Sequence, residues 1–476
     1  MLETAISKKG DGFFMRKSII GFLLALAVMI LFILLPEAEG LTGAALASIG
    51  LLIAGIILWV TEALPLAITT FLLMILMPYL GIMELSSVWK EFISAVFFFV
   101  LATFAMTAAL LNTKIPNRIA GLMLKWSGNS SKKLVLGFVF ATAALSAIMS
   151  NVPTAALFMG LGIAILKANG DPVPGTSNLG KCLMIGVAYG SVMGGFSTPA
   201  GSPINILALH MLKDATGIWI RFLDWMIVGI PMAIVGVLVV SWWVTLVHKP
   251  EPISSQARAE LEKIIAEAGK LDIQEKKVLA IIGLMFIFWI SSTWFPIIDT
   301  TVVAVAGMCL FFFPGIKVLT WKEFVSNSSW EALIMIGGIQ SIAAGLVNTG
   351  AASWLVNTVM SDAATWSGMV TNVIASALTS ILHVIIPTGP AVVGLALVAM
   401  VEVAGIASLS AASFALITAF WSNVTYLLPI DTVPLITFGK GYYKMSDMIK
   451  AGIVPNIIMI LAAALLIPAL ANLLGY

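Results

Sequence analysis

The sequence predicts an all-α polytopic membrane protein built as an inverted repeat, with eleven membrane-spanning helices and two re-entrant helical hairpins. Three observations lead there. The chain is 60% hydrophobic and 10% charged over 476 residues, with a mean hydropathy of +1.06. Apolar runs of about twenty residues, the length that crosses a hydrocarbon core, recur from end to end. Two long uncharged runs carry polar residues and prolines at their centres, and one four-residue motif occurs twice.

Taken in order, the N-terminal segment 1–40 places Lys8, Lys9, Arg16 and Lys17 before an apolar run. No small-residue cleavage site follows, so Ile19–Leu35 reads as a retained first helix and not as a signal peptide. Lys and Arg concentrate in cytoplasmic loops. By that rule the N-terminus lies inside, Pro36–Gly40 with Glu37 and Glu39 lies outside, and Asn112–Lys133, basic with no acidic residue, lies inside.

The run Leu134–Leu166 contains no Asp, Glu, Lys or Arg and is bounded by Lys133 and Lys167, so it enters and leaves by one face. It is too long for one span and too short for two. A hairpin over 133–167 resolves this, turning at Ser150–Thr154, where Pro153 ends one hydrogen-bond ladder and helps to start another. Irregular backbone at that depth persists only where protein buries it or where it lines a wet cavity. The tip is therefore a candidate site. The next span is interrupted at "GGFSTPAGSPIN" (194–205), and Trp225–Leu246 completes a first repeat, 41–247. The hydrophilic stretch 248–277 reads as a cytoplasmic linker helix. Beyond it, Lys317 and Lys322 lie inside, Asn348–Met369 lacks Lys and Arg and lies outside, and Lys440, Lys444 and Lys450 return inside. The last helix then carries the C-terminus outside, in a chain assigned to the cell (inner or plasma) membrane.

The repeat rests on "WKEF" at Trp89–Phe92 and again at Trp321–Phe324, and on Leu111-Asn112-Thr113 echoed by Val347-Asn348-Thr349. The first "WKEF" falls outside and the second inside, so the copies have opposite topology. Secondary transporters are built this way, with substrate at the repeat interface near mid-bilayer. Carrying the second offset, 236 (111 to 347), forward takes Ser150-Asn151-Val152 to Ile386-Pro387-Thr388. These lie in a second uncharged run, Ala363–Val401, whose one ionisable group is His383. A second hairpin over 363–402 follows, inside a second repeat, 278–476. "STPAGSPIN" likewise maps onto "LLPIDTVPL" (427–435), so four polar or unwound elements converge.

An enzyme needs a nucleophile with its base or a metal constellation, and His210, His248 and His383 are scattered without ligand spacing. No enzymatic activity, cofactor or firm metal site is expected. A channel needs a continuous polar path, whereas these elements concentrate at one depth. The basic residues are spread among loops, which excludes a nucleic-acid partner.

"WVTEALPLAIT" (59–69), "SNVPTAA" (150–156), "GGFSTPAGSPINI" (194–206) and "LLPIDTVPLITFGKGYYKMSDMIKAGI" (427–453) resemble the divalent anion/sodium symporter family of di- and tricarboxylate transporters. The resemblance runs from about Ile19 to the end. It implies a homodimer whose scaffold domain holds the interface. A transport domain would carry the hairpins and broken helices in an elevator movement. Glu62, within "WVTEALP", is read as structural.

A C4 or C5 dicarboxylate such as succinate, malate, fumarate or 2-oxoglutarate brings two charges that each need donors. None of the four elements contains Lys or Arg, so half-helix N-termini must supply N–H groups, assisted by Asn, Ser and Thr. The expected contacts are Ser150, Asn151, Val152 and Thr154 at the first tip and Gly201, Ser202 and Pro203 at the first break. Pro387, Thr388 and Gly389 follow at the second tip, with Thr432, Val433 and Pro434 at the second break.

Sodium-coupled members of the family carry Ser-Asn-Thr at both tips; here the first is Ser-Asn-Val and the second Ile-Pro-Thr. By this resemblance, Ser146, Ser150, Asn151 and the backbone near Gly201 retain oxygens for one residual sodium. At the second tip Pro387 takes the place of the sodium-binding Asn, with His383 and Asp431 nearby as substitutes for the cation. The expectation is sodium-independent dicarboxylate exchange, as in the exchanger branch, with sodium-coupled symport as the alternative. In its strongest form a protonated His383, held by Asp431, replaces the sodium charge. The plainer alternative is a neutral His383 bonded to a backbone carbonyl.

Overall fold

The computed structural model describes the backbone of residues 2–476 except 38–39, 128–129, 171–173 and 360. Side chains are described except at those positions and at 2–17, 120, 123–127, 264–265, 267–268, 356–357, 359, 361 and 364. Trp126, which reads from sequence as one of several tryptophan anchors near the membrane interfaces, lies outside the described side chains.

Among the described residues the structure is helical, without strands. Helix α1 (Leu2–Leu34) precedes a set of ten: α2 (Gly43–Thr61), α3 (Leu66–Tyr79), α4 (Leu85–Phe92), α5 (Ala95–Leu111), α6 (Ile115–Ser127), α7 (Ser131–Ser146), α8 (Asn151–Ala168), α9 (Asn178–Phe196), α10 (Pro203–Thr216) and α11 (Phe222–His248). After α12 (Ser255–Ala268) a second set of ten follows in the same order of long and short elements. These are α13 (Ile273–Ser291), α14 (Thr300–Phe312), α15 (Trp321–Asn327), α16 (Trp330–Asn348), α17 (Ala351–Val359), α18 (Gly368–Ile385), α19 (Gly389–Ile406), α20 (Ala411–Asn423), α21 (Thr432–Phe438) and α22 (Met445–Leu473). Nine described helices, counting α4 and α5 as one, are long and apolar enough to cross a membrane. Ser18–Leu34, Leu66–Tyr79 and Thr300–Phe312 are shorter apolar helices. This is the make-up of a polytopic membrane transporter.

Three local differences from the sequence reading have physical causes. The linker expected as one helix over 248–277 is interrupted: α12 ends before Gly269, whose φ of +60° suits a residue without Cβ. Asp272 and Glu275 then form a capping box that starts α13. The second hairpin begins at Gly368, capped by Ser367, and not at residue 363, because Ser361–Thr365 forms a separate 3₁₀ turn. Both cysteines fall in apolar runs and read from sequence as small buried hydrophobes, but only Cys182 is buried, and Cys309 is exposed.

Close packing around the hairpins depends on absent side chains. Added Cβ atoms at Gly190 and Gly194 of α9 would run into the α7 backbone at Val139 and Ala143. Small residues of this kind let helices approach where no water drives them together. Between the halves, Arg118 forms a two-pronged pair with Glu275 (Nε to Oε1 3.1 Å, a second guanidinium nitrogen to Oε2 2.7 Å). The same guanidinium donates to the carbonyls of Gly269 and Lys270, tying α6 to the end of the linker.

Candidate substrate site

The helix-breaking residues of the two uncharged runs determine the site's framework. Helix α7 stops at Ser146 and α8 starts after Ser150; α18 stops at Ile385 and α19 starts after Thr388. Pro153 and Pro390 sit in the first turns of α8 and α19, where their missing N–H has no helical partner to lose. The breaks between α9 and α10 and between α20 and α21 fall at 197–202 and 424–431. Asn423 bridges them: its Nδ2 donates to Asn205 Oδ1 at 2.8 Å, while Asn205 Nδ2 donates to the carbonyls of Gly195 and Thr198.

A cavity of about 310 Å³ opens between these elements. Of the residues expected from sequence, Ser150, Asn151, Val152, Ser202, Pro203, Gly389, Asp431, Thr432 and Val433 line it together. Others stand behind the wall. Thr154 is fully buried and its hydroxyl donates to the Ser150 carbonyl at 3.0 Å, while the Pro434 carbonyl accepts from Tyr443 and Thr437. Gly201 packs on the carbonyls of Gly195 and Ser146, where a Cβ would not fit. Pro387 and Thr388 line a neighbouring cavity instead.

The sequence reading missed Phe104 and Thr107 on α5, and Ser326–Ser329 with Ala332 and Ile336 at the start of α16. Thr107 Oγ1 accepts the Ser150 N–H at 3.2 Å, so α5 supports the tip directly. The polar run "SNSS" after the second "WKEF" was the available signal for the α15–α16 break.

The cavity contains no Lys or Arg among its lining residues, and its one ionisable group is Asp431. What it offers an anion is backbone. The residues that begin α8 and α19, Ser150 and Thr388, make no side-chain cap bond, whereas Ser130, Ser177 and Ser367 cap α7, α9 and α18. The first-turn N–H groups of both tips are therefore left without the usual capping acceptor. Aligned peptide dipoles make such a terminus a carboxylate site.

The two tips differ in their oxygens. At the first, Ser146 Oγ donates to Asn151 Oδ1 at 2.8 Å and Ser191 Oγ to the Asn151 carbonyl at 2.6 Å. The carbonyls of Ser146 and Gly195 close over Gly201 beside them. Around the second, Thr388 Oγ1, Ser422 Oγ, Asn423 Oδ1 and Thr425 Oγ1 are buried without hydrogen-bond partners among the described residues. The hairpin register also changes one expectation. The helices start at Asn151 and Gly389, 238 apart and not 236, so Gly389 and not Pro387 stands in the position of Asn151. The extra residues lie before the second turn, since the ends of α7 and α18 are already 239 apart (146 to 385), and a motif match outside the hairpin does not reveal them.

His383 is fully buried, with Nδ1 2.6 Å from the Trp421 carbonyl. A carbonyl only accepts, so Nδ1 carries the hydrogen and Nε2 faces Asp431 Oδ2 at 3.6 Å. That distance exceeds hydrogen-bond reach, leaving Nε2 without a bond, yet it lies within ion-pair range if Nε2 is protonated. Asp431 is itself oriented by the N–H and hydroxyl of Thr432.

Residues 16–476 match the family model described as the sodium:sulfate symporter transmembrane region. The chain belongs to the divalent anion/sodium symporter family. Within reach of this family member are proteins named sodium-dependent dicarboxylate transporter SdcS. That of Staphylococcus saprophyticus is 25% identical, covering 97% of this chain and 93% of the relative. The protein of that name from Staphylococcus aureus (strain USA300) is 27% identical, covering 84% and 81%. Among solved structures, the efflux pump MtrF of Neisseria gonorrhoeae superposes with a TM-score of 0.58 at 12% identity, covering 80% of this chain and 83% of that one. The YdaH transporter of Alcanivorax borkumensis superposes at 0.52 and 11%, covering 91% and 99%. At these identities the likeness to the two structures is one of fold.

Proposed function

We propose that this symporter-family chain is a secondary transporter of C4/C5 dicarboxylates, with succinate, malate, fumarate and 2-oxoglutarate as the substrate class. The observation that carries the reading is the pair of uncapped helix N-termini, after Ser150 and Thr388, bordering a region without basic side chains. Each takes one carboxylate through backbone N–H groups, Asn151 and the serines assist, and the absence of a fixed cationic ligand lets the anion leave. The two relatives named as dicarboxylate transporters support the same class.

For coupling, sodium symport is the better-supported mode. The argument against a second sodium rested on Pro387 replacing Asn151's counterpart; the hairpin register puts Gly389 there, which supplies no side-chain oxygen either, so a second sodium relies on the other oxygens around that tip. Oxygen atoms remain at both tips: Asn151 Oδ1 with the Ser146 and Gly195 carbonyls at the first, and the unpartnered oxygens of Thr388, Ser422, Asn423 and Thr425 around the second. Sodium requires such an all-oxygen set. Sodium-independent exchange is the second reading, favoured by His383: a proton on Nε2 facing Asp431 fixes a positive charge in the protein.

The mechanical reading accompanies either mode. Spans α1, α2, α3, α4–α5, α9–α10, α11, α13, α14, α15–α16, α20–α21 and α22 make eleven, with re-entrant hairpins α7–α8 and α18–α19. The halves 41–247 and 278–476 are inverted copies, in a plasma-membrane homodimer with its N-terminus inside and C-terminus outside. The hairpins and broken helices rise and fall as an elevator.

Uptake of labelled succinate into proteoliposomes is the test, with and without internal dicarboxylate and with sodium replaced by choline. Uptake into empty vesicles that collapses without sodium is expected. Uptake that ignores sodium and requires internal dicarboxylate selects exchange. No saturable uptake of any C4 or C5 diacid under either condition overturns the substrate class.

A further inference from the structure

A second cavity, of about 450 Å³, lies on the other side of the second tip, and the dicarboxylate reading does not use it. Its wall combines the "WVTEALP" turn after α2, the first turn of α16, and Pro387, Thr388 and Thr432. Thr432 also lines the substrate cavity, so only the second tip and the start of α21 separate the two spaces.

The chemistry of this wall is opposite to that of an anion site. Glu62 and Glu331 both line it, no Lys, Arg or His does, and neither carboxylate has an ion-pair or hydrogen-bond partner among the described residues. Two uncompensated carboxylates repel a dianion and concentrate cations. Glu62 also forms the C-cap of α2, where the helix dipole adds negative potential. It holds a φ of +51°, a left-handed conformation that Gly or Asn adopts more readily, yet a carboxylate occupies the position.

An acidic wall alone is an ordinary solvated surface; Thr388 makes this one different. Its residue is 8% exposed, it lines the acidic cavity, and its Oγ1 has no hydrogen-bond partner among the described residues. A buried, unpartnered hydroxyl oxygen in the wall of a cation-concentrating space is a ligand available to a hard cation. The indole Nε1–H of Trp59 in the same wall is also unpartnered, but as a donor it adds nothing to a cation's shell.

We propose that this cavity is a loading site for a monovalent cation, in which Glu62 and Glu331 gather the ion and Thr388 passes it to the second tip, apart from the route of the dicarboxylate. The inference rests on the sodium-symport reading. It assigns the "WVTEALP" turn a role in charge selection in addition to ending α2.

The test compares the purified full chain with Glu62→Gln, Glu331→Gln and the double variant in proteoliposomes. Sodium dependence of succinate uptake is measured alongside succinate KM at saturating sodium. Each single change raises the sodium concentration for half-maximal uptake by roughly three- to tenfold, the double change raises it further, and succinate KM at saturating sodium stays constant. Sodium-driven uptake with an unaltered sodium requirement in a folded double variant overturns the loading site and leaves symport standing.

A second readout separates the two failures: thermal stabilisation of the detergent-purified protein by sodium against choline and magnesium, without dicarboxylate. If wild-type uptake ignores sodium, symport fails. A sodium-specific stabilisation that the glutamate variants lose then still supports the cavity. Absence of that stabilisation in the wild type, or stabilisation by magnesium alone, overturns it.

Discussion

The two hairpin tips have the same plan and opposite chemistry. The first is internally satisfied: Asn151 is held by Ser146 and Ser191, Thr154 bonds the Ser150 carbonyl, and Thr198 Oγ1 bonds the Ala147 carbonyl at 2.7 Å. The second is bordered by unpartnered oxygens and by a histidine whose free nitrogen faces a carboxylate. Leaving a buried polar group unpaired costs about 1–3 kcal/mol. The first tip therefore reads as a preformed cradle, and the second as one that a ligand or proton completes. Preorganisation by internal hydrogen bonds belongs to the first tip, and the unpartnered oxygens to the second.

Removing the feature that makes the first tip self-sufficient should have the largest effect. Asn151→Ala deletes the acceptor of Ser146 and an amide that lines the cavity, and we expect a loss of succinate uptake of roughly 100-fold, equivalent to about 3 kcal/mol. Retention of more than a tenth of wild-type uptake would falsify the assignment of Asn151 to the substrate cradle.

The second tip has its own sensitive point. A Cβ at Gly389 would strike the Ser422 carbonyl and Ile204, so Gly389→Ala must push α19 away from α20. Overpacking of this kind costs about 1–3 kcal/mol, enough to lower transport and the melting temperature together. A folded Gly389→Ala protein with unchanged uptake would show that the second tip tolerates displacement and does not position substrate.

The His383–Asp431 pair separates ligand-dependent order from simple packing. His383→Ala removes the imidazole whose Nε2 lies 3.6 Å from Asp431 Oδ2, and a rise in succinate KM of about tenfold is expected if that nitrogen carries a proton. Adding Asp431→Asn removes the stranded charge, so the double variant should recover part of the loss. Two independent, additive defects in this cycle would mean that the residues are not coupled.

The smallest effect lies outside both tips, at the loop that holds the N-terminus of α9. Glu251 accepts the N–H groups of Asn178 and Leu179 at 2.8 and 2.6 Å, and the Ser177 hydroxyl at 3.2 Å. Burial pushes its carboxyl up, but these donors together bring it below the ordinary 4.5. A carboxyl lowered on folding stabilises at neutral pH, and that contribution is lost as pH falls from the ordinary value through the folded one. Glu251→Gln should cost about 1 kcal/mol at pH 7 and progressively less on acidification, read from melting temperatures across pH. An equal cost at neutral and acidic pH would show that the residue acts through shape and not charge.

How much of this was readable in advance follows from what each feature depends on. The apolar runs, their breaks at Ser150–Thr154 and within 194–205, and the want of basic residues in these elements are one-dimensional properties. Hydrocarbon thickness and the cost of buried charge act on sequence directly, so composition and spacing pointed to a helical membrane protein with Ser150, Asn151, Ser202 and Gly389 around one cavity. The tertiary structure decided the rest, because it depends on register and on partners distant in the chain. The register of the second hairpin, already shifted where α18 ends, put Pro387 and Thr388 in a different cavity from Gly389. Packing of α5 and α16 against the tips brought in Thr107 and Ser326–Ser329, which no local pattern connects to residue 150. The tautomer of His383 was set by a carbonyl 38 residues away, since only the folded chain brings donor and acceptor together.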